Sequence, residues 1–184
     1  MGKVINRQIA LKPQDLVVLL AALSRAPASC SYADLADATG MAASAVHASI
    51  KRAVSARLAM VKDRQPLVLK SQLKEFVLTG AMYAFPPVWG ALTRGLPTSY
   101  AASPLNAVIA PSADPPPVWP HPNGPTRGMS LAPLYPSAPE AAMRDEKLYA
   151  MLALFDAIRA GQARERDAAR KIIAKFFEES SATK

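Results

Sequence analysis

The sequence contains a single cysteine, Cys30, and two histidines, His47 and His121. One thiol cannot form a disulfide within the chain, and so few soft ligands do not supply a zinc site. The chain also lacks a Gly-x-Ser-x-Gly turn and a phosphate-binding glycine loop, and no pair of carboxylates stands out from solvated helix faces. We therefore expect no metal, no cofactor and no enzyme, although the sequence alone leaves open a catalytic set assembled from distant residues.

Long hydrophobic runs are also missing. No apolar stretch approaches the roughly 20 residues that a membrane-spanning helix needs. The segment from Met1 to Leu11 lacks the apolar stretch of a secretory signal. Together with the single cysteine, these absences favour a cytoplasmic protein with no membrane partner. Because 51% of the 184 residues are hydrophobic, we expect a packed core.

The positive charge is concentrated in one part of the chain. The net charge is +8, and residues 1–70 contain ten Lys or Arg against four Asp or Glu, which gives this part +6. A local excess of this sign suits contacts with the phosphates of nucleic acid. The alternative is a basic surface that only keeps the protein soluble. This interpretation becomes less attractive if the same residues form a DNA-binding unit.

The segment from Ser31 to Leu58 predicts two helices joined by a short turn. Ser31 is a favourable N-cap, and Gly40 suits the left-handed conformation that ends a helix. After the turn, apolar residues recur at spacings of three and four and form one stripe: Met41, Val46, Ile50, Ala53 and Val54. This pattern is typical of a helix-turn-helix, whose second helix can lie in the major groove of DNA.

The flanks of this segment extend the pattern. Pro13 favours the start of a preceding helix, and two β-prone runs at 59–61 and 67–69 enclose the turn-like Lys62–Pro66. In its order of three helices and a hairpin, the segment from Leu11 to Lys70 resembles winged-helix transcriptional regulators of the MarR type. The resemblance implies double-stranded DNA as partner and a homodimer that matches two half-sites.

The second helix and the hairpin supply the candidate DNA contacts. Ser44 and His47 are expected to face base edges, although this helix lacks the Arg, Asn or Gln that usually read bases. For His47, an ordinary surface histidine is the open alternative. The residues expected to contact phosphates are Lys51, Arg52, Arg57, Lys62 and Arg64.

Residues 86–139 differ in composition from the rest of the chain. They hold most of the 17 prolines and both tryptophans, so long helices are excluded. Many apolar residues make a solvated spacer a poor description, and we predict an ordered, extended, irregular layer. Two similar tetrapeptides, Thr93–Leu96 and Thr126–Met129, each place an arginine before a glycine. The glycine lets a backbone or a ligand approach, or the arginine simply binds loop carbonyls.

Residues 140–184 predict two further helices with broad apolar faces, Leu148–Ile158 and Ala168–Phe177. Faces of this size must be covered, either by a second copy in a homodimer or by the rest of the chain. The predicted segments are therefore 1–85, a winged helix-turn-helix with a trailing helix; 86–139, the Pro/Trp-rich extended segment; and 140–184, a helical pair for oligomerisation or partner binding.

The expected fold is mainly α with a small β-hairpin: a winged helix-turn-helix, a Pro-rich irregular layer and C-terminal helices. The expected function is sequence-specific DNA binding by a transcriptional regulator. The alternative is an antitoxin-like or adaptor protein, which would use the winged helix, the Pro-rich segment and the C-terminal helices to bind another protein.

Overall fold

A computed structural model describes residues 9–25, 30–110 and 112–182, and in these ranges most residues are helical. The first elements are three helices and a hairpin: α1 (Pro13–Ser24), α2 (Tyr32–Thr39), α3 (Ala43–Ser55), β1 (Ala59–Lys62) and β2 (Gln65–Val68). The fold is mixed α/β: the predicted excess of helix and the small β-hairpin are present, and the winged helix-turn-helix stays a prediction. A second, three-stranded sheet was not predicted.

The ends of α2 follow from local chemistry. Ser31 Oγ accepts from the backbone N–H of Asp34 at 3.2 Å, and Asp34 Oδ2 accepts from the N–H of Ser31 at 3.0 Å. The hydrogen bonds from Ser31 hold the pKa of Asp34 below its usual value. Gly40 ends the helix with φ of 65°, in the left-handed region. Both predicted ends of this helix are confirmed.

Helix α1 lies at the centre of the molecule. Every residue from Leu16 to Leu23 is buried, because α2 and α3 pack on one side of the helix and α7 (Glu146–Ala160) packs on another. At the end of α1, Ser24 Oγ donates to Asp145 Oδ2 at 2.8 Å. The hydrophobic core therefore runs across the segment boundaries that the sequence predicted at 85/86 and 139/140.

Residues 70–85 connect the hairpin to the Pro-rich segment. They form a nearly continuous helical run: α4 (Lys70–Glu75), a π-helical turn (Phe76–Gly80) and α5 (Ala81–Ala84). Leu73 and Val77 of this run are buried in the common core. The run ends where Pro86 and Pro87 follow, since neither has an N–H to continue a helix.

The Pro-rich segment contains a regular sheet, which corrects the prediction of a wholly irregular layer. Strand β3 (Trp89–Pro97) pairs antiparallel with both β4 (Pro117–Pro120) and β5 (Thr126–Leu131), while β4 and β5 pair in parallel. Each strand thus pairs with the other two, and the sheet closes on itself. The prolines are compatible with pairing because they stand at strand ends, where the missing N–H costs least.

Two glycines make this closure possible. A Cβ atom on Gly95 would overlap the carbonyl oxygen of Trp119, and one on Gly128 would overlap the carbonyl oxygen of Pro116. Only a residue without a side chain allows the backbones to approach this closely. The glycine that follows each arginine in the two similar tetrapeptides therefore admits a neighbouring strand.

A buried carboxylate ties the closed sheet to α7. Asp156, on α7, accepts from Trp119 Nε1 at 2.6 Å, from Thr98 Oγ1 at 2.7 Å and from Arg159 Nε at 2.7 Å. Arg159 in turn donates to the carbonyl of Ala132 at 2.7 Å. All these groups are removed from water, so the network is stable because its members satisfy one another.

The C-terminal helices are α6 (Ala138–Arg144), α7 and α8 (Ala163–Ala182). The apolar face of α7 is covered by α1, α5, α6 and α8, and Ala169, Ile173 and Phe177 of α8 are buried against the same core. Both broad apolar faces are thus covered by the chain itself. Of the two explanations that the sequence left open for these faces, coverage by the rest of the chain is the one observed.

Within the described ranges, no helix combines the length and the apolar character required to cross a membrane.

Candidate nucleic-acid interface

The outward face of α3 carries the predicted base-contacting residues. Ser44, His47 and Lys51 are exposed, and α3 contains no acidic residue. The opposite face is buried through Val46, Ile50 and Ala53, as the apolar spacing predicted. Val54 departs from that prediction: it is 38% exposed, at the edge of the stripe.

The position of α3 is set by the turn before it. Met41 is buried beneath the turn, and the carbonyl of Thr39 accepts from Ser137 Oγ at 2.6 Å. Ser137 directly precedes α6, so a C-terminal helix holds the end of α2. The turn is therefore fixed from both sides, while the outward face of α3 is left open to solvent.

His47 is held by an aromatic stack. Its ring lies on that of Tyr32, the first residue of α2, with centroids 3.8 Å apart and planes inclined by 9°. Stacking holds the plane of the imidazole parallel to the Tyr32 ring at the surface of α3. Tyr32 was not among the predicted site residues, since nothing in the local pattern shows that the start of α2 lies beside the middle of α3.

Arg52 has a different role from the predicted one. Its Nε donates to Asp15 Oδ2 at 2.8 Å and its Nη2 to Asp15 Oδ1 at 2.6 Å, with Ser49 Oγ a further partner at 3.2 Å. The hydrogen bond with Asp15 raises the pKa of Arg52 above its ordinary value. Because the guanidinium is committed to α1, we remove Arg52 from the candidate phosphate contacts.

The remaining basic candidates are available to a ligand. Lys51, Arg57, Lys62 and Arg64 are all exposed, and none forms a salt bridge in the ranges that the structure describes. In the hairpin, Lys62 pairs with Gln65, and the two residues between them, Asp63 and Arg64, have φ of 51° and 62°. Such a turn is the tight two-residue type, and it projects Arg64 from the tip together with one acid, Asp63.

The hairpin also exposes apolar side chains that the sequence analysis did not anticipate. Met60, Val61 and Leu67 are 40–49% exposed. The hairpin contacts α3 through β1 and α1 through β2, and this leaves part of each strand uncovered. The alternation along a strand therefore does not show which apolar residues are buried. These side chains could contact another protein as well as nucleic acid.

In comparisons with known proteins, no family model, curated protein or solved structure matches this chain.

Proposed function

We propose that the chain is a sequence-specific DNA-binding transcriptional regulator, with α1–α3 and β1–β2 acting as a winged helix-turn-helix. The observation that carries the proposal is the outward face of α3, which is open, free of acids and continued by the exposed cations Arg57, Lys62 and Arg64. A face of this kind suits a polyanion better than an acidic or neutral partner.

In this proposal α3 enters the major groove and the hairpin lies along the flanking backbone. Ser44 and His47 reach base edges, where they supply the sequence preference. The cations Lys51, Arg57, Lys62 and Arg64 contact phosphates, which positions the protein without selecting a sequence. The stack of Tyr32 on His47 holds the imidazole ready for one base.

Two further features belong to the same proposal. A regulator of this type acts in the cytoplasm, and it acts as a homodimer because operators present two half-sites. The dimer surface must lie outside the covered faces of α7 and α8.

The proposal is tested by the salt dependence of DNA binding. Three variant proteins, Lys51→Ala, Lys62→Ala and Arg64→Ala, are each titrated into two DNA duplexes. One duplex is selected from a random pool for tight binding, and the other has a random sequence. Each substitution should weaken binding to both duplexes and reduce the slope of log K against log salt by about 0.9. The control is Lys171→Ala, which removes the same charge from the exposed face of α8.

If the control and the three variants give the same slope, the cations act only through net charge and the assigned face is wrong. If no duplex is selected above the random background, DNA binding is not sequence-specific.

The second candidate is an antitoxin-like or adaptor protein, and the exposed Met60, Val61 and Leu67 of the hairpin favour it. Apolar side chains contribute little on a phosphate backbone but are natural at a protein interface. Val61→Ser should leave DNA binding unchanged and weaken a complex with a protein partner. Loss of DNA affinity in that variant would count against this candidate.

A further inference from the structure

The two similar tetrapeptides of the Pro-rich segment lie side by side in the structure. In the antiparallel pairing of β3 with β5, Thr93 is opposite Gly128, Arg94 is opposite Arg127, and Gly95 is opposite Thr126. The two Thr-Arg-Gly stretches therefore run past one another. Residues directly opposite in an antiparallel pair point to the same side, so both arginines share one face, and both are exposed.

The register continues with apolar residues on this face. Leu92 is opposite Met129, and Trp89 is opposite Leu131 after an irregularity in β3. Met129 and Leu131 are two residues apart and lie on one side of β5, where Met129 is half-buried and Leu131 is fully buried. The irregularity thus shifts Trp89 onto the side that carries Leu92. We call Trp89, Leu92, Arg94, Arg127 and Met129 the ribbon face.

The ribbon face has unsatisfied charge. Like charges directly opposite one another destabilise a strand pair. Arg94 Nη1 donates to the carbonyl of Gly124 at 3.1 Å, and in the described ranges neither arginine forms a salt bridge. Neither β3 nor β5 contains an acidic residue to offset the two cations, so an external anion would be stabilised between them.

The ribbon face also has uncovered apolar surface. Trp89 is 48% exposed and Leu92 is 50% exposed. Leu92 is two residues from Arg94 on the same side of β3, and Trp89 lies farther along the strand. Tryptophan, methionine and arginine are the residue types enriched at the centres of protein interfaces, and truncating tryptophan or arginine there costs the most affinity. A phosphate backbone would neutralise the arginines but leave these apolar side chains in water. The combination favours a protein over a nucleic acid.

We propose that the ribbon face docks a partner protein through a segment that combines acidic and apolar side chains. Carboxylates of that segment bind Arg94 and Arg127, and its apolar side chains cover Trp89, Leu92 and Met129. This docking surface goes beyond the proposed DNA binding and does not depend on it, because α3 and the β1–β2 hairpin contribute no residue to it.

The test is a selection of short random peptides displayed on phage against the full chain. The peptides recovered should carry Asp or Glu together with apolar residues. Their affinity, measured by calorimetry, should fall about tenfold or more in the double variant Arg94→Glu with Arg127→Glu. A charge-matched control on α8, Lys171→Glu with Lys175→Glu, should bind the same peptides as the unchanged protein does, since both lysines are exposed and lie outside the ribbon face and the hairpin.

Circular dichroism establishes that each variant is folded. If the double variant unfolds, Arg127→Glu alone replaces it, because no hydrogen bond in the described ranges involves that side chain. Trp89→Ser should also lower the affinity for the selected peptides. A purely electrostatic attraction would not predict this loss, because the substitution removes no charge.

Three results would overturn the proposal: no peptide is enriched, the enriched peptides lack acids, or both charge-reversed pairs weaken binding equally. Binding of a thymidine oligonucleotide to the same variants is also measured. If its binding falls in the ribbon variant while peptide binding does not, the ribbon face binds nucleic acid and the protein proposal is wrong.

Discussion

The guanidinium of Arg52 binds the carboxylate of Asp15 at two points, with Nε 2.8 Å from Oδ2 and Nη2 2.6 Å from Oδ1. The side chain of Asp15 is fully buried and that of Arg52 is 15% exposed. The same Oδ2 accepts from the backbone N–H of Lys12 at 2.9 Å, at the start of α1. This ion pair thus joins the start of α1 to α3, the helix that carries Ser44 and His47.

Arg52→Ala should lower the free energy of unfolding by about 3–5 kcal/mol, because it leaves a buried carboxylate without its partner. The adjacent Lys51→Ala should change this free energy by less than about 0.5 kcal/mol, since Lys51 is exposed. Urea unfolding of the two variants provides the measurement. An Arg52→Ala protein as stable as the Lys51→Ala protein would show that the pair contributes little.

Substitution of Asp156 should lower the free energy of unfolding by a similar amount. Asp156→Ala removes the acceptor of Trp119, Thr98 and Arg159 together, and we expect a loss of about 3–5 kcal/mol in guanidinium unfolding. Asp167→Ala, which removes only an exposed carboxylate 3.8 Å from Arg170, is the matched control and should change stability little. Equal effects of the two substitutions would contradict a structural role for the buried network.

The close approach of backbones in the closed sheet predicts how its glycines respond to substitution. Gly128→Ala should destabilise the protein by about 3 kcal/mol or more, because the new Cβ overlaps backbone rather than a flexible side chain. Gly90→Ala, whose Cβ would lie 3.3 Å from the Ser130 side chain, should be tolerated within about 1 kcal/mol. Melting temperatures that fall alike in both variants would argue against the close approach of β4 and β5.

Stability should decline at alkaline pH. Burial raises the pKa of Cys30 above its ordinary value of 9.0, so the unfolded chain releases this proton at a lower pH than the folded chain does. The contribution is present below pH 9 and is lost as pH rises through the folded pKa. Cys30→Ala should delay the decline until Tyr149, whose pKa burial raises from 10.0, begins to titrate. An unchanged pH profile for Cys30→Ala would refute this assignment.

The local part of the fold could be predicted from sequence, because its causes lie within a few residues. Ser31 and Gly40 determine the ends of α2 through their own backbone neighbourhood, and the stripe of α3 follows from a spacing of three and four. The closed sheet could not be predicted in this way. Its strands are separated by loops, and proline at both ends of β4 obscures the strand pattern.

The candidate site was predictable only in part, for the same reason. Exposure of Ser44, His47 and Lys51 follows from the helical period. The ion pair of Arg52 with Asp15 joins residues 37 positions apart in the sequence. No local pattern distinguishes such a structural arginine from one that binds phosphate. The pairing of Arg94 with Arg127 likewise depends on strand register, and the similarity of the two tetrapeptides did not predict it.

The stack of Tyr32 on His47 leads to a prediction about base preference. His47→Ala should cost about 1–3 kcal/mol on the selected duplex and relax the preference at one position. Tyr32→Ala should relax the same position, because the ring that orients the imidazole is gone. The two losses should not add in the double variant, since both report one contact.

Two control variants separate this coupling from a general loss of binding. Tyr32→Phe keeps a ring beneath His47 and should keep the preference. Tyr83→Ala removes a tyrosine that is 78% exposed elsewhere and should change nothing. Fluorescence anisotropy on the selected duplex and its single-base variants gives the energies. If Tyr32→Ala and His47→Ala weaken the selected and random duplexes equally, the imidazole does not read a base, and the stack serves only to join α2 to α3.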